Sequence, residues 1–229
     1  MIEEAGSTRP TPSETTQSVS TSPKAPEMLI RVMPDDNSCL FSAISYVFHQ
    51  GDRTRAGEMR ELAANLIFSD PLRYDAVVLG REPSAYIQWI MRPNSWGGAI
   101  ELSVFARHFE AEIASIDVAT LRMDLFGEGE GYFKRVYVLY SGVHYDALAL
   151  CSSSVGGKTK EQTIFSPHDD GVMLQAMHVA ELAKLEHRYT DLARFTLRCE
   201  TCGAALRGER EAEEHAMATG HSNFQEYNP

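Results

Sequence analysis

Four cysteines and eight histidines in 229 residues are the side chains most able to carry chemistry, and their spacing sorts them. Cys199-x2-Cys202-x12-His215-x5-His221 has the ligand spacing of a two-Cys/two-His zinc site. Two thiolates and two imidazoles complete a tetrahedral shell and leave no position open for a substrate, so the expected role is structural. A segment of about thirty residues cannot bury enough apolar surface to fold alone, and metal binding supplies what its core lacks. The expectation is one zinc per chain, with a helix over Glu209–Thr219 turning His215 inward and Gly220 ending it before His221.

Cys39 is a different case. It follows the polar turn Pro34-Asp-Asp-Asn-Ser38 and opens an apolar run containing Leu40, Phe41, Ala43, Ile44, Tyr46, Val47 and Phe48. The amide end of a helix stabilises a thiolate, as a neighbouring imidazolium does, so a cysteine there suits a nucleophile. A small buried core cysteine fits the same local pattern. A nucleophilic cysteine needs a histidine within reach. His49 lies ten positions along the same helix, ~15 Å away, and is excluded. His108, His178 and His187 fall on helical stretches, and His168 in a loop before a helix cap. His144 differs because Asp146 follows two positions later. On a strand the two side chains share a face. A carboxylate so placed fixes the imidazole tautomer, the third role in a Cys-His-Asp triad. Any His-x-Asp on a strand has this appearance. Cys151 is left without a partner and is expected to be a free, inert thiol in or beside a loop. Gly157-Lys158-Thr159 resembles the end of a phosphate-binding loop, but Ser152 stands where that motif needs glycine, so it is set aside.

These residues need elements to position them. Met28–Met33 reads as a short strand, Cys39–His49 as a helix buried all round, and 54–68 as an amphipathic helix with Met59, Leu62, Ala63, Leu66 and Ile67 at helical spacing. Shorter helices are expected over 84–91 and 98–109, the latter after a Trp96-Gly97-Gly98 turn. Glu112–Val118, Leu121–Phe126, Lys134–Tyr140 and Val143–Leu148 read as strands, and 151–168 as a loop. A final helix capped by Asp169 or Asp170 runs to about 188. Helices followed by clustered strands imply an α+β domain with a small, mostly antiparallel sheet. Residues 7–26 hold ten Ser/Thr and four Pro, so 1–27 is expected to be a disordered tail, 28–190 a catalytic domain and 191–229 a zinc-finger module.

Composition excludes several classes. The apolar share of 43% supports a core, and four cysteines are too few for a secreted disulfide scaffold. No apolar run reaches membrane-spanning length, and the start of the chain lacks the basic and apolar parts of a signal peptide. A cytoplasmic or nuclear protein with reduced thiols and no membrane partner is expected. The net charge of −11 opposes nucleic acid as a partner. The finger itself carries six Glu against two Arg over 199–229, a balance of −4, and its helix bears Glu211, Glu213 and Glu214, which phosphates repel.

Asp36-Asn37-Ser38-Cys39-Leu40-Phe41 resembles the D-N-x-C-L-F signature of the OTU (ovarian tumour) cysteine proteases. Trp96-Gly97-Gly98-Ala99-Ile100-Glu101-Leu102 is similar to that family's W-G-G-x-x-E-L stretch, and His144-Tyr145-Asp146 to its His-aromatic-Asp segment. The finger and the tail His221-Ser222-Asn223-Phe224 resemble one branch, the OTU-one/YOD type of ubiquitin thioesterase. The resemblance implies a papain-type cysteine protease fold and a deubiquitinase that cuts isopeptide or thioester bonds at the C-terminus of ubiquitin. It implies Cys39 as nucleophile, His144 as general base, Asp146 as the group orienting His144, and Asp36 as a second active-site acid. It also implies an oxyanion hole from the backbone N–H groups of residues 36–39, and a substrate channel walled by Gly142 and Val143 with Trp96 on a neighbouring loop. Zinc is separate from catalysis, which needs no cofactor. Members of this branch commonly carry an N-terminal ubiquitin-like (UBX-type) domain that docks on the valosin-containing AAA ATPase. The 27 mostly polar residues before the first strand are too few to form one, which sets that partner at odds with this sequence. Two alternatives stand beside the enzyme: a catalytically silent ubiquitin-binding adaptor, and a zinc-finger nucleic-acid binder, which the charge opposes.

Overall fold

The computed structural model describes residues 25–153, 159–190, 196–221 and 224–226. Residues 1–24 of the expected polar tail, most of the Gly157–Thr159 segment and part of the His221–Phe224 tail lie outside these residues, and Glu27, expected to end the tail, opens β1 instead. The elements run β1 (Glu27–Arg31), α1 (Cys39–Phe48), α2 (Ala56–Ser69), α3 (Ala76–Leu79), α4 (Pro83–Ile90), α5 (Ala99–Phe109), β2 (Glu112–Asp117), β3 (Met123–Phe126), β4 (Arg135–Tyr140), β5 (Tyr145–Ser153), β6 (Thr159–Gln162) and α6 (Asp170–Leu185). The C-terminal part adds β7 (Thr196–Cys199), β8 (Ala205–Arg207), α7 (Gly208–Thr219) and β9 (Phe224–Glu226).

The main sheet has the order β1-β5-β4-β2-β3, with β6 also on β5. Every pairing is antiparallel except β2 with β4, so the sheet is mixed but mostly antiparallel. β6 forms inside the stretch expected to be a loop. β4 pairs only with the start of β5, up to Ala147, and β6 takes the same edge from Leu150 onward. Strand β5 is therefore longer than expected, and Cys151 lies buried within it rather than in a loop.

The strands are buried on both faces. Ile113, Val136, Val138, Ala147, Ala149 and Cys151 pack under α1, α2 and α5, while Ala114, Ile116, Tyr137, Leu139 and Leu148 pack under α6. This explains why β4 reads as a continuous apolar run from Val136 to Tyr140 rather than an alternating one. At the centre of the first layer, Leu40, Phe41 and Ile44 of α1 are 0–2% exposed. Each such side chain stabilises the fold by roughly 1.5–3 kcal/mol, and together they anchor the helix whose first residue is Cys39. Helix α6 starts where Asp169 accepts from the Val172 amide at 3.0 Å. No helix among the described residues is long and apolar enough to cross a membrane.

Candidate active site and metal centre

Cys39 is half-buried at the first turn of α1, with Leu40 and Phe41 directly behind it in the core. The turn before it folds around Asp36. The carboxylate of Asp36 accepts from the Ser38 amide at 2.8 Å, and its carbonyl accepts from the Cys39 amide at 3.4 Å. The Asp36 amide in turn donates to the Pro34 carbonyl at 2.9 Å. Three of the four amides expected to form an oxyanion hole are thus bonded within the turn. The Asn37 amide is the one without an internal acceptor among the described residues, and the Cys39 amide is only weakly held. Asp36 is exposed and shapes the turn that presents the thiol.

His144 stands immediately before β5 rather than on a strand, which corrects the expected boundary at Val143. The reason is a two-residue hairpin. The Ser141 amide donates to the His144 carbonyl at 3.0 Å, and Gly142, at φ +100°, takes the first central position, where such turns favour glycine. The Tyr140 hydroxyl donates to the Gly142 carbonyl, and the Thr190 amide donates to the Ser141 carbonyl at 2.7 Å. Gly142 and Val143, the expected channel wall, form the tip of this hairpin beside His144.

From that position His144 Nε2 lies 3.1 Å from Asp146 Oδ1. The same carboxylate oxygen accepts from the Met33 amide at 2.8 Å, just beyond β1. The hydrogen bond to the Asp146 carboxylate and the nearby Cys39 thiol together push the His144 imidazole up to about 10, against the opposing effect of burial. The three residues expected to act together therefore meet, although they lie on different elements and over 100 positions separate Cys39 from His144. A thiol, an imidazole and a carboxylate in this order can generate a thiolate–imidazolium pair.

Trp96 is 55% exposed, and its indole N–H donates to the Asn37 side-chain oxygen at 2.6 Å. It touches the cysteine turn instead of filling the core. The next residue explains the glycine there. A Cβ on Gly97 would come within 2.9 Å of Phe41 Cζ and 3.0 Å of Leu40 Cδ2, so only glycine lets this loop approach α1. Glu101, 1% exposed, accepts from the Gly98 amide at 2.8 Å and from the Tyr86 hydroxyl at 2.7 Å, capping α5 and fixing the loop's exit.

Residues 34–161 match the family of OTU-like cysteine proteases, and residues 193–227 match the C-terminal C2H2-type zinc finger of ubiquitin thioesterase OTU1. The chain belongs to the OTU-like cysteine protease family. It is 45% identical over 198 residues to the ubiquitin thioesterase OTU1 of Danio rerio, covering 86% of this chain and 65% of that protein. It is 42% identical over 201 residues to the ovarian tumor domain-containing deubiquitinating enzyme 2 of Arabidopsis thaliana, covering 86% of this chain and 96% of that one. The chain spans about two thirds or less of the length of several of these relatives, down to 58% for the human one. An OTU domain solved in complex with ubiquitin superposes with a TM-score of 0.61 at 27% identity, over 71% of this chain and 90% of that one.

Beyond the OTU domain, the Cys199, Cys202, His215 and His221 ligand atoms all lie within 4.8 Å of one another. Cys202 Sγ is 3.5 Å from His215 Nε2, and the edges of a tetrahedral zinc shell measure roughly 3.3–3.8 Å. His221 Nδ1 is buried with no hydrogen-bond partner among the described residues. Two sulfurs and two imidazole nitrogens brought this close together fit a metal ion. The β7–β8 hairpin delivers the cysteines, α7 delivers His215, and Gly220 at φ +74° ends α7 before His221.

Cys151 Sγ receives a hydrogen bond from Arg31 Nη2 at 2.8 Å, and burial pushes its thiol up. Sequence reasoning missed Arg60, Met33 and Thr190 as parts of the site, and the side-chain tie of Asn37 to Trp96. Arg60 left a legible signal: it shares helical spacing with Ala63, Ala64 and Ile67 on the apolar face of α2. The others act largely through backbone groups or one amide oxygen, which no side-chain pattern encodes.

Proposed function

We propose that this protein is a thiol-dependent deubiquitinase, hydrolysing isopeptide and thioester bonds at the C-terminus of ubiquitin in conjugates and chains. The observation that carries this reading is His144, hydrogen-bonded to Asp146 and close enough to Cys39, at the head of a buried helix, for the thiol to raise the imidazole. Family membership and the relatives named for deubiquitination support it, as does the likeness to an OTU domain solved with ubiquitin.

In this reading Cys39 Sγ attacks the carbonyl carbon of ubiquitin's last glycine, forming a C–S bond. The amides of Asn37 and Cys39 are the donors the turn can offer the oxyanion. His144, protonated, delivers its Nδ1 proton to the leaving lysine amine as the C–N bond breaks. A water deprotonated by His144 then opens the thioester and restores the thiol. Asp146 holds Nε2 throughout. Gly142 and Val143 form one wall for the glycine tail, and Trp96, anchored on Asn37, lies on a neighbouring loop. Asp36 acts by shaping the turn. Cys199, Cys202, His215 and His221 would hold one zinc ion, which would cross-link the small C-terminal unit apart from the hydrolytic residues.

The test is a ubiquitin probe with an electrophilic C-terminus, applied to the full chain and to Cys39→Ala. Labelling that maps to Cys39 and vanishes in the variant is the expected result. A wild-type protein that binds ubiquitin but is never labelled would instead be the silent adaptor.

A further inference from the structure

Helix α2 carries a charge on its buried face. Arg60 is 4% exposed, and every hydrogen bond recorded for its guanidinium goes to a carbonyl or a hydroxyl, none to a carboxylate. Nη1 donates to the carbonyls of Ile90 and Ser95 at 2.7 and 2.8 Å. Nη2 donates to the Asn37 carbonyl and the Ser38 hydroxyl, both at 3.0 Å, and more weakly to the Pro93 carbonyl at 3.4 Å. The guanidinium carbon lies 4.2 Å from the centre of the Phe41 ring. These acceptors come from the turn before Cys39, the C-terminal end of α4, and the turn before Trp96. Arg60 thus ties three chain segments that share no secondary structure.

A buried cation without a bonded counter-ion is costly, and an apolar side chain of similar volume is often the more stable choice. Burial accordingly pulls the Arg60 guanidinium below its ordinary pKa, while Glu101, Asp36 and Cys39 are the ionisable groups near enough to oppose this, and the side chain stays charged at neutral pH. The planar fork is the feature an apolar side chain cannot supply. The backbone amides of the cysteine turn make only short-range bonds within it, so its longer-range ties come from side chains.

We propose that Arg60 is a positioning residue for the nucleophile: its guanidinium pins the turn that presents Cys39 to the turn that carries Trp96, fixing the thiol relative to His144 and setting a permanent positive charge near it. The Trp96–Asn37 hydrogen bond is a second tie across the same gap. The inference rests on Cys39 being the nucleophile, but not on ubiquitin being the substrate.

The test uses the full chain with Arg60→Met, Arg60→Lys and Ser38→Ala. One readout, the rate of Cys39 alkylation by iodoacetamide mapped by mass spectrometry, needs no substrate. The other is kcat and KM on a fluorogenic ubiquitin C-terminal amide. Arg60→Met is expected to slow alkylation about 10-fold and to lower kcat about 100-fold, with KM changed by no more than about 2-fold. Arg60→Lys keeps the charge and loses the fork, so it recovers part of the alkylation rate. Ser38→Ala removes one contact and slows both readouts a few-fold. A natively folded Arg60→Met with wild-type alkylation and kcat overturns the proposal. If that variant fails to fold, wild-type rates in both Arg60→Lys and Ser38→Ala overturn it. Slowed alkylation in the variants, with no ubiquitin cleavage even by the wild type, upholds Arg60 and sinks the substrate assignment.

Discussion

His144 and Asp146 are held in register by a third group: the Asp146 oxygen that lies 3.1 Å from His144 Nε2 also accepts the Met33 amide at 2.8 Å. The backbone just beyond β1 thereby fixes the carboxylate before the imidazole uses it. With His144 raised to about 10, the imidazolium persists well above neutral pH. The leaving amine needs its proton, so the rate should hold on the alkaline side and fall as pH passes through about 10. Asp146→Asn removes the main cause of the raised value. Its alkaline limb should move toward the ordinary histidine range, and kcat at pH 7 should fall about 100-fold or more. A pH–rate profile on a ubiquitin amide checks both.

The same pair bears on stability, and the sign is definite. A group whose folded value is raised contributes fully below its unfolded value and loses that contribution as pH rises through the folded one. The His144–Asp146 pair should therefore stabilise the fold fully below about pH 6.5 and progressively less up to about pH 10. Comparing Tm across this window for the wild type and His144→Gln should show a steeper decline in the wild type. Parallel curves would contradict it.

Gly97 allows the Trp96 loop to rest on α1. Gly97→Ala would drive a methyl to within 2.9 Å of Phe41, a ring with no exposed surface and no room to yield. Overpacking of this kind costs about 1–3 kcal/mol. Because Phe41 sits two residues beyond Cys39, activity should fall along with Tm. Denaturant unfolding and kcat measured together test this. Gly98→Ala, whose Cβ meets nothing within 4 Å, should lose far less stability.

Much of this site was legible because its chemistry demands particular side chains. The Cys/His quartet announces itself by residue type and spacing, whereas Cys39 at a helix head and His144 with Asp146 were candidates that spacing left open and the family resemblance singled out. The helices α1, α2, α4 and α5 were legible through apolar periodicity. What stayed hidden depends on the backbone. The hairpin that takes His144 off the strand rests on an amide–carbonyl bond between Ser141 and His144. β6 is Thr-Lys-Glu-Gln, without apolar alternation, and exists only because β4 leaves the edge of β5 open. The short strands of the finger are similarly set by partners rather than by composition.

The finger should contain about one zinc per chain, measured by elemental analysis of protein purified without chelator. His221→Ala removes the imidazole whose buried Nδ1 has no protein partner among the described residues. That variant should lose most of its zinc and melt the C-terminal unit, since ligands in such modules hold the fold. Cys39 alkylation should survive, because no residue of the Cys39–His144–Asp146 group lies in that unit. A zinc-free wild type with an ordered finger would refute the metal assignment.

Thr190 offers the sharpest test of backbone support for His144. Its amide donates to the Ser141 carbonyl at 2.7 Å, and Ser141 closes the hairpin onto the His144 carbonyl. The stretch after α6 thus braces the catalytic turn from outside the sheet, while Tyr189 packs against the α6-side core. Thr190→Pro deletes the donor, and one lost hydrogen bond costs only about 0.5–1.5 kcal/mol of stability. The effect on catalysis should exceed this. A turn free to shift by a fraction of an ångström weakens the His144 contacts with Cys39 and Asp146, and kcat should drop about 10-fold with KM nearly constant. Thr190→Ala keeps the amide and should fall much less. Equal kcat in the proline variant and the wild type would show that the hairpin holds His144 without the brace.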